Sequence, residues 1–307
     1  MFLIIPGSLV LGFFFATQLQ PLIQAVPYLF AYVTLTMAIG CGVEQLRTVM
    51  KRPGIMLWTF FLAHLLSPAI AYGLGAALFG AHSPYVIGLV LFTIIPLGVS
   101  TVLWVSMSGG SVPLMLAMVV LDSLLSPIVV PIAIQLLFDT AIEVKPGPMM
   151  MDLLLIIVLP TLLGIGLYEL SRGKLQEAVK PYSAPLSKLC FVAVVALNAS
   201  AIAPHMAQLQ EDMMKLIPLV IVLVGICYGV GYIGTMRSDA RETQITVSYA
   251  TGMRNISLGI VLALAYFSPL AAVPVVLSIL IQQPLATVHH YLLHNLNKNK
   301  AGVTPGR

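Results

Sequence analysis

Two formal charges of opposite sign, Asp122 and Arg254, stand inside long apolar stretches. At the centre of a membrane helix each costs about 2.5–3.5 kcal/mol on insertion scales, so their presence implies mutual neutralisation or a bound ligand. A guanidinium presents a rigid fork of donors that fits a carboxylate anion. Arg254 lies within Ala250-Thr251-Gly252-Met253-Arg254-Asn255-Ile256-Ser257, and a comparable polar, Pro- and Gly-containing stretch, Ile95-Pro96-Leu97-Gly98-Val99-Ser100-Thr101, lies in the other half of the chain. Pro removes a backbone donor and Gly loosens the turn, and in hydrocarbon the freed groups must find protein, water or ligand. Both stretches read as helix interruptions near the membrane midplane, where transporters place their sites. The chemistry expected of them is anion binding, by Arg254 and by the positive amide ends of the half-helices after Gly98 and Gly252. Hydrolysis is not expected: there is no GxSxG, no HExxH, and no second acid to pair with Asp122 deep in an apolar segment.

The elements that must position these residues follow from composition. Of 307 residues, 59% are apolar and only 8% are Asp, Glu, Lys or Arg, against roughly 25% charged residues in a soluble domain. No formal charge occurs over the 69 residues from Pro53 to Leu121 or the 43 from Asn255 to Asn297, which is several bilayer crossings at about 20 residues each. Runs such as Leu153–Pro160 and Leu216–Cys227 are apolar on every face rather than alternating, so the fold class is all-α polytopic membrane protein, not barrel. Ten segments are expected, near 2–18, 26–43, 54–79, 85–108, 111–138, 149–170, 183–203, 214–235, 243–267 and 270–293. Ten crossings put both termini on one side. If that side is the cytoplasm, the inner loops and tail hold twelve of the fifteen basic residues: Arg47, Lys51, Arg52, Arg172, Lys174, Lys180, Lys188, Arg237, Arg241, Lys298, Lys300 and Arg307. Lys145 and Lys215 fall outside, a split that the positive-inside rule favours. A multi-pass inner-membrane protein is expected, with no cleavable signal peptide, because the first basic residue is Arg47.

Five segments per half is an odd number, so residues 1–138 and 139–307 form two repeats of inverted topology, with broken crossing helices four and nine. The net charge of +4 is explained by loop charges, and no nucleic-acid patch is present. Cys41, Cys190 and Cys227 lack CxxC or Cys/His spacing and read as small buried hydrophobes; no metal site and no cofactor is expected.

At the two interruptions the chain resembles the bile acid:sodium symporter family, whose crossing helices carry a Pro-Gly-Gly-Thr-Ala-Ser-Asn type of motif and a Glu-x-Gly-Met-Gln-Asn motif. Here they read Pro96-Leu97-Gly98-Val99-Ser100-Thr101-Val102 and Ala250-Thr251-Gly252-Met253-Arg254-Asn255. The resemblance extends to Lys51-Arg52-Pro53, Ser126-Pro127 and Val273-Pro274. It implies a panel domain of about 1–50 and 146–205 and a core, or transport, domain of about 53–138 and 214–295, which moves against the panel in elevator-like alternating access. Family members hold two sodium ions beside the crossing. Ungapped matching puts those ligands on Thr101, Val102, Met115, Val119, Ala250, Arg254 and Ala63, the last beside His64. Sodium needs several hard oxygens, and Val, Met and Ala offer no side-chain oxygen.

The expectation is therefore a secondary active transporter of an organic anion, a small carboxylate or sterol acid, that does not use sodium at the usual sites. A fixed guanidinium replaces the mobile cation, with Asp122 as its counter-ion; alternatively, Arg254 is a static brace, to a carbonyl or to Asp122, that only closes the broken helix. The alternatives are a sodium-coupled symporter using other ligands, or a non-transporting channel or sensor. Substrate-binding candidates are Arg254, Asn255, Thr101, Ser100, Gly98, Gly252 and Gln282, and the candidate charge pair is Asp122 with Arg254. Gln283 is a further cavity candidate, although helix–helix hydrogen bonding competes for every such amide. His64 reads as a hydrogen-bonded core histidine that is able to take protons; His289, His290 and His294 read as interfacial. The expected partners are the small anion and the lipid bilayer, with oligomeric state left open.

Overall fold

The computed structural model describes residues 4–44, 47, 53–138, 146–237 and 240–301. Helices account for nearly all of them, and β-type pairing among the described residues is limited to one isolated bridge. The helices are α1 (Ile4–Phe14), α2 (Ala16–Ala38), α3 (Pro53–Phe79), α4 (Pro84–Ile94), α5 (Thr101–Ser108), α6 (Val112–Phe138), α7 (Pro146–Ser171), α8 (Lys174–Ile202), α9 (Met206–Gly234), α10 (Arg241–Gly252), α11 (Ile256–Tyr266) and α12 (Pro269–Ala301). Seven are long and apolar enough to cross a bilayer by length and composition: α2, α3, α6, α7, α8, α9 (as Asp212–Gly234) and α12 (as Pro269–Asn295). α4 and α11 are apolar but short.

Most expected segments meet a helix, with three differences. Residues 85–108 and 243–267 are each two helices, α4/α5 and α10/α11, separated where the Pro and Gly stretches lie. The boundary between the first two segments is displaced. α1 stops at Phe14, and α2 runs from Ala16 through a 3-10 turn, Gln20–Ala25, that continues the helix past Pro21 instead of ending it. Finally, the expected Arg172–Lys180 loop is a two-residue turn, Arg172 and Gly173, both left-handed (φ 51° and 79°), after which α8 begins at Lys174. The 29 residues of α8 reach about 44 Å at 1.5 Å per residue, more than the about 30 Å of hydrocarbon, and its exposed Lys174 and Lys180 lie in its first two turns. Lys51, Arg52 and Lys145 lie outside the described residues.

Lateral position follows from burial. In their most apolar windows α6 and α12 are each 61% buried by protein, α2 only 17%, so α6 and α12 form the middle of the bundle and α2 faces lipid. Phe14, Tyr28, Leu136 and Leu170, all more than three-quarters exposed, have lipid tails as their natural solvent. α8 packs on α1 and α2, and α2 packs on α7; separately, α4 packs between α3 and α12, and α9 against α10. The α4–α12 approach is tight: a Cβ on Gly88 would meet Ala271 O at 2.1 Å.

Candidate functional site

The two breaks touch. Between α4 and α5 the chain is extended at Pro96-Leu97-Gly98, between α10 and α11 at Met253-Arg254-Asn255, and Leu97 pairs antiparallel with Arg254. Gly98 N–H donates to Met253 O at 3.2 Å, and Asn255 N–H to Pro96 O at 2.8 Å. A lone β-bridge inside a helical bundle satisfies donors and acceptors that the interrupted helices leave free. Only Gly fits at position 98, because a Cβ there would lie 2.7 Å from Arg254 O. The Gln282 carboxamide of α12 clamps the second break edge-on, accepting from Arg254 N–H at 2.7 Å and donating to Arg254 O at 3.2 Å.

A defect in α3 completes the crossing. Residues Leu62–Leu66 form a π-turn, with Ser67 N–H bonded five residues back to Leu62 O. Such turns often mark functional sites, since they release carbonyls and rotate side chains out of register. Ala63 O accepts from Arg254 Nη2 at 2.8 Å, and His64 turns inward, 7% exposed. Arg254 is itself 2% exposed, and its Nε and Nη1 have no partner in the protein. Two buried guanidinium donors without acceptors are costly unless a ligand or water takes them.

Asp122, 2% exposed on α6, does not contact Arg254 as the sequence reading expects. Its Oδ2 accepts from Leu97 N–H at 2.7 Å, and its Oδ1 lies 2.7 Å from His64 Nε2, a close contact out of line for a hydrogen bond. The physical reason is the break: it frees Leu97 N–H and Ile94 O, and Asp122 and His64 Nδ1 (3.1 Å from Ile94 O) are the groups that meet them. Arg254 and Asp122 remain within electrostatic reach of each other, and of Cys227 on α9. The helix ends sort the charge. α4 and α10 bring their partly negative C-termini to the crossing, where Arg254 and His64 sit; α5 and α11 bring their partly positive N-termini.

The other candidates divide by what already occupies them. Thr101 is buried with its hydroxyl donating to Gly98 O, and Gly252, buried, backs onto the Tyr228 ring. Gln282, like these two, is engaged in holding the breaks. Ser100 is half-buried and accepts only a long contact from Gln283 Nε2, 3.4 Å. Asn255 is half-buried with no cap hydrogen bond from its side chain. Gln283 also accepts from Trp104 Nε1 at 2.9 Å.

Sequence reasoning missed two groups. His289, read as interfacial, lies 2.6 Å from Ser248 Oγ with its ring between Tyr228 and Tyr249, while His290 lies 2.7 Å from Ser108 Oγ. Asn198 on α8 is 1% exposed with both amide atoms unpartnered; its one signal was an amide in an otherwise apolar run. Cys41, Cys190 and Cys227 are buried free thiols, in keeping with their reading as small hydrophobes.

Comparison with known proteins bears on both halves of this site. A family described as the sodium bile acid symporter family matches residues 27–205, a stretch that takes in the first break and stops before the second. The chain is 33% identical to the uncharacterized protein YbaS of Bacillus subtilis (strain 168), over 95% of this chain and 96% of that protein. It is 24% identical to the uncharacterized sodium-dependent transporter YocS of the same organism, over 86% and 81%. With the probable sodium/metabolite cotransporter BASS1, chloroplastic, of Oryza sativa subsp. japonica it shares 26% identity over 81% of this chain and 60% of the relative.

Proposed function

Since the chain belongs to the sodium bile acid symporter family and is a multi-pass membrane protein, we propose that it is a secondary active transporter whose cargo is an organic anion, a small carboxylate or a sterol acid, bound at the crossed breaks. The observation that carries this reading is the buried Arg254 guanidinium with Nε and Nη1 unpartnered. Nε and Nη1 lie on different edges of the guanidinium, and Nη2, which gives one hydrogen to Ala63 O, has a second that completes one of those edges as a fork for a carboxylate. Ser100 and Asn255, half-buried at the starts of α5 and α11, are the side chains best placed to add hydrogen bonds. Gly98, Thr101, Gly252 and Gln282 serve the same site by holding its backbone.

The arrangement proposed is ten crossings in two inverted repeats, residues 1–138 and 139–307, with α4/α5 and α10/α11 as the broken fourth and ninth. α1, α2, α7 and α8 act as the panel, α3–α6 and α9–α12 as the moving core. The packing of α8 on α1 and α2 supports the first body, that of α4 on α3 and α12 the second. Orientation is proposed with both termini cytoplasmic in the inner membrane. Lys174→Cys is then expected to resist a membrane-impermeant maleimide in intact cells and to react after lysis; labelling from outside would reverse the orientation. Wild-type protein controls for the three buried native thiols.

The coupling cation is proposed not to be sodium at the family's usual position. Val102, Met115, Val119 and Ala250 supply no side-chain oxygen there, and Arg254 Nη2 reaches the carbonyl of Ala63, a position where the resemblance puts a sodium ligand. Two relatives are named for sodium dependence, so the test is direct. A thermal-shift screen of small carboxylates and sterol acids, with and without sodium, identifies a ligand; its uptake should be nearly unchanged when choline replaces sodium. Loss of most uptake would show that sodium is held by groups outside that set.

A further inference from the structure

We propose that the His64–Asp122 pair is a proton-binding site, and that its one exchangeable proton crosses the membrane with one equivalent of anion; the coupling half of this rests on the organic-anion reading above. The geometry supplies the proton count. His64 Nδ1 faces Ile94 O at 3.1 Å, and a carbonyl only accepts, so Nδ1 carries hydrogen. Nε2 lies 2.7 Å from Asp122 Oδ1. A bare ring nitrogen and a carboxylate oxygen do not approach so closely in a buried site, so a further proton resides on Nε2 or on Oδ1. It belongs to the pair: imidazolium with carboxylate, or imidazole with carboxylic acid. A ring anchored at Nδ1 is poorly free to swing Nε2 in line, which fits the bent contact. Loss of the proton leaves a carboxylate facing an imidazole lone pair, and the repulsion acts on groups that hold Ile94 O and Leu97 N–H of the first break.

Charge then couples the proton to the anion. Other titratable or charged groups around the crossing, among the described residues, are Arg254 from the second break and Cys227 and Tyr228 from α9, the last with its hydroxyl on Gln282 O at 3.3 Å; behind Tyr228 lie Tyr249 of α10 and His289 of α12. With Arg254 cationic and the thiol, the phenols and His289 neutral, the empty, deprotonated site sums to zero. A proton alone makes it positive and a monovalent anion alone makes it negative. Proton and anion together restore zero. Displacing a net charge through a low-dielectric barrier is costly, so the empty and doubly loaded states are the mobile ones. The proton enters from water on one side and returns to water on the other, and only N–H or O–H bonds form and break.

The first test needs no substrate. Melting temperature is followed from about pH 5 to about pH 9, the range in which imidazoles change charge, for wild type, Asp122→Asn, His64→Gln and Cys227→Ser. The wild type should show a pH-dependent step that Asp122→Asn and His64→Gln flatten and Cys227→Ser keeps. Asn at 122 can accept from Leu97 N–H and donate to His64 Nε2, so it imitates the proton-loaded pair and should fold. A step retained in both pair variants, or lost in Cys227→Ser, overturns the proton site. The second test uses proteoliposomes with a trapped pH dye and, as probes, glycocholate and gluconate. Wild type should acidify the lumen as either anion enters, and Asp122→Asn should lose pH-driven accumulation tenfold or more relative to anion exchange. Anion entry without acidification overturns the coupling and leaves the transporter reading intact. If neither probe moves while the step depends on the pair, the proton site stands and the organic-anion reading fails.

Discussion

Arg254→Gln is expected to yield a folded protein whose affinity for its anion falls tenfold to a hundredfold, the value of a charge-assisted hydrogen bond at roughly 1.5–3 kcal/mol. Backbone clamping by Gln282 does not involve the Arg254 side chain, so the second break should persist. What is lost is the donor to Ala63 O and the two unpartnered guanidinium atoms. Lys should rescue little, because an ammonium presents no fork to a carboxylate. Stability should change modestly: an orphaned Ala63 carbonyl costs about 1–3 kcal/mol, offset by relief of a buried, partly unsatisfied cation. Adding Asp122→Asn should restore neither property, since Asp122 is held by His64 and Leu97 N–H rather than by Arg254. Melting temperature and ligand affinity for both single variants and the double separate the outcomes. Normal affinity in a stable Arg254→Gln protein would refute the anion-binding role, and full recovery in the double would show that the two charges brace each other over distance.

Gly98→Ala should do more damage than any single loss of a side-chain contact. The new methyl would stand 2.7 Å from Arg254 O and 3.0 Å from Arg254 C, and backbone cannot step aside as the tip of a flexible side chain does. Overpacking costs about 1–3 kcal/mol. Parting the breaks also strands the Gly98 and Asn255 donors in a buried site, at about 1–3 kcal/mol each. A total of roughly 3–9 kcal/mol is a large share of a typical native stability of about 5–15 kcal/mol. The expected result is a markedly lowered melting temperature and no transport. Gly225→Ala on α9, where a Cβ meets nothing within 4 Å, is the matched control and should be close to neutral. Wild-type stability in Gly98→Ala would mean that the crossing relaxes easily, and the β-bridge would then not be the joint of the two breaks.

Composition made the class of molecule legible. Stretches of 69 and 43 uncharged residues, apolar on every face rather than alternating, call for membrane helices, because in hydrocarbon every backbone group must find a partner within the protein and a helix supplies it along its own length. The breaks were legible for the complementary reason: Pro96 and Gly98, and Gly252 followed by Arg254 and Asn255, are residues that an unbroken helix in lipid penalises. Arg254 declared itself by cost alone. Helix ends were less legible, as at Pro21, where a 3-10 turn carries α2 onward; apolarity is a property of a window and does not mark which residue opens the turn.

Partnership was beyond the sequence. Asp122 and Arg254 carry opposite charge and sit in the membrane, and the sequence offered each other as partners, or for Arg254 an unspecified backbone carbonyl, with nothing to choose between them. The tertiary structure paired Asp122 with His64 and Leu97 N–H, because the π-turn at Leu62–Leu66 rotates His64 inward and exposes Ala63 O to Arg254. A one-residue change of helical register leaves no trace in hydropathy, yet it moves every side chain and carbonyl on one turn. Gln282 is the parallel case: its type fits a cavity wall or a clamp equally, and only the edge-on approach of α12 to the second break made it the clamp. The sequence by itself thus determined a polytopic helical protein with two interruptions and a buried cation, since these follow from the free energy of each residue in lipid. Which groups meet at the crossing was decided by the tertiary structure alone, since contact depends on the relative rotation of helices far apart in the chain.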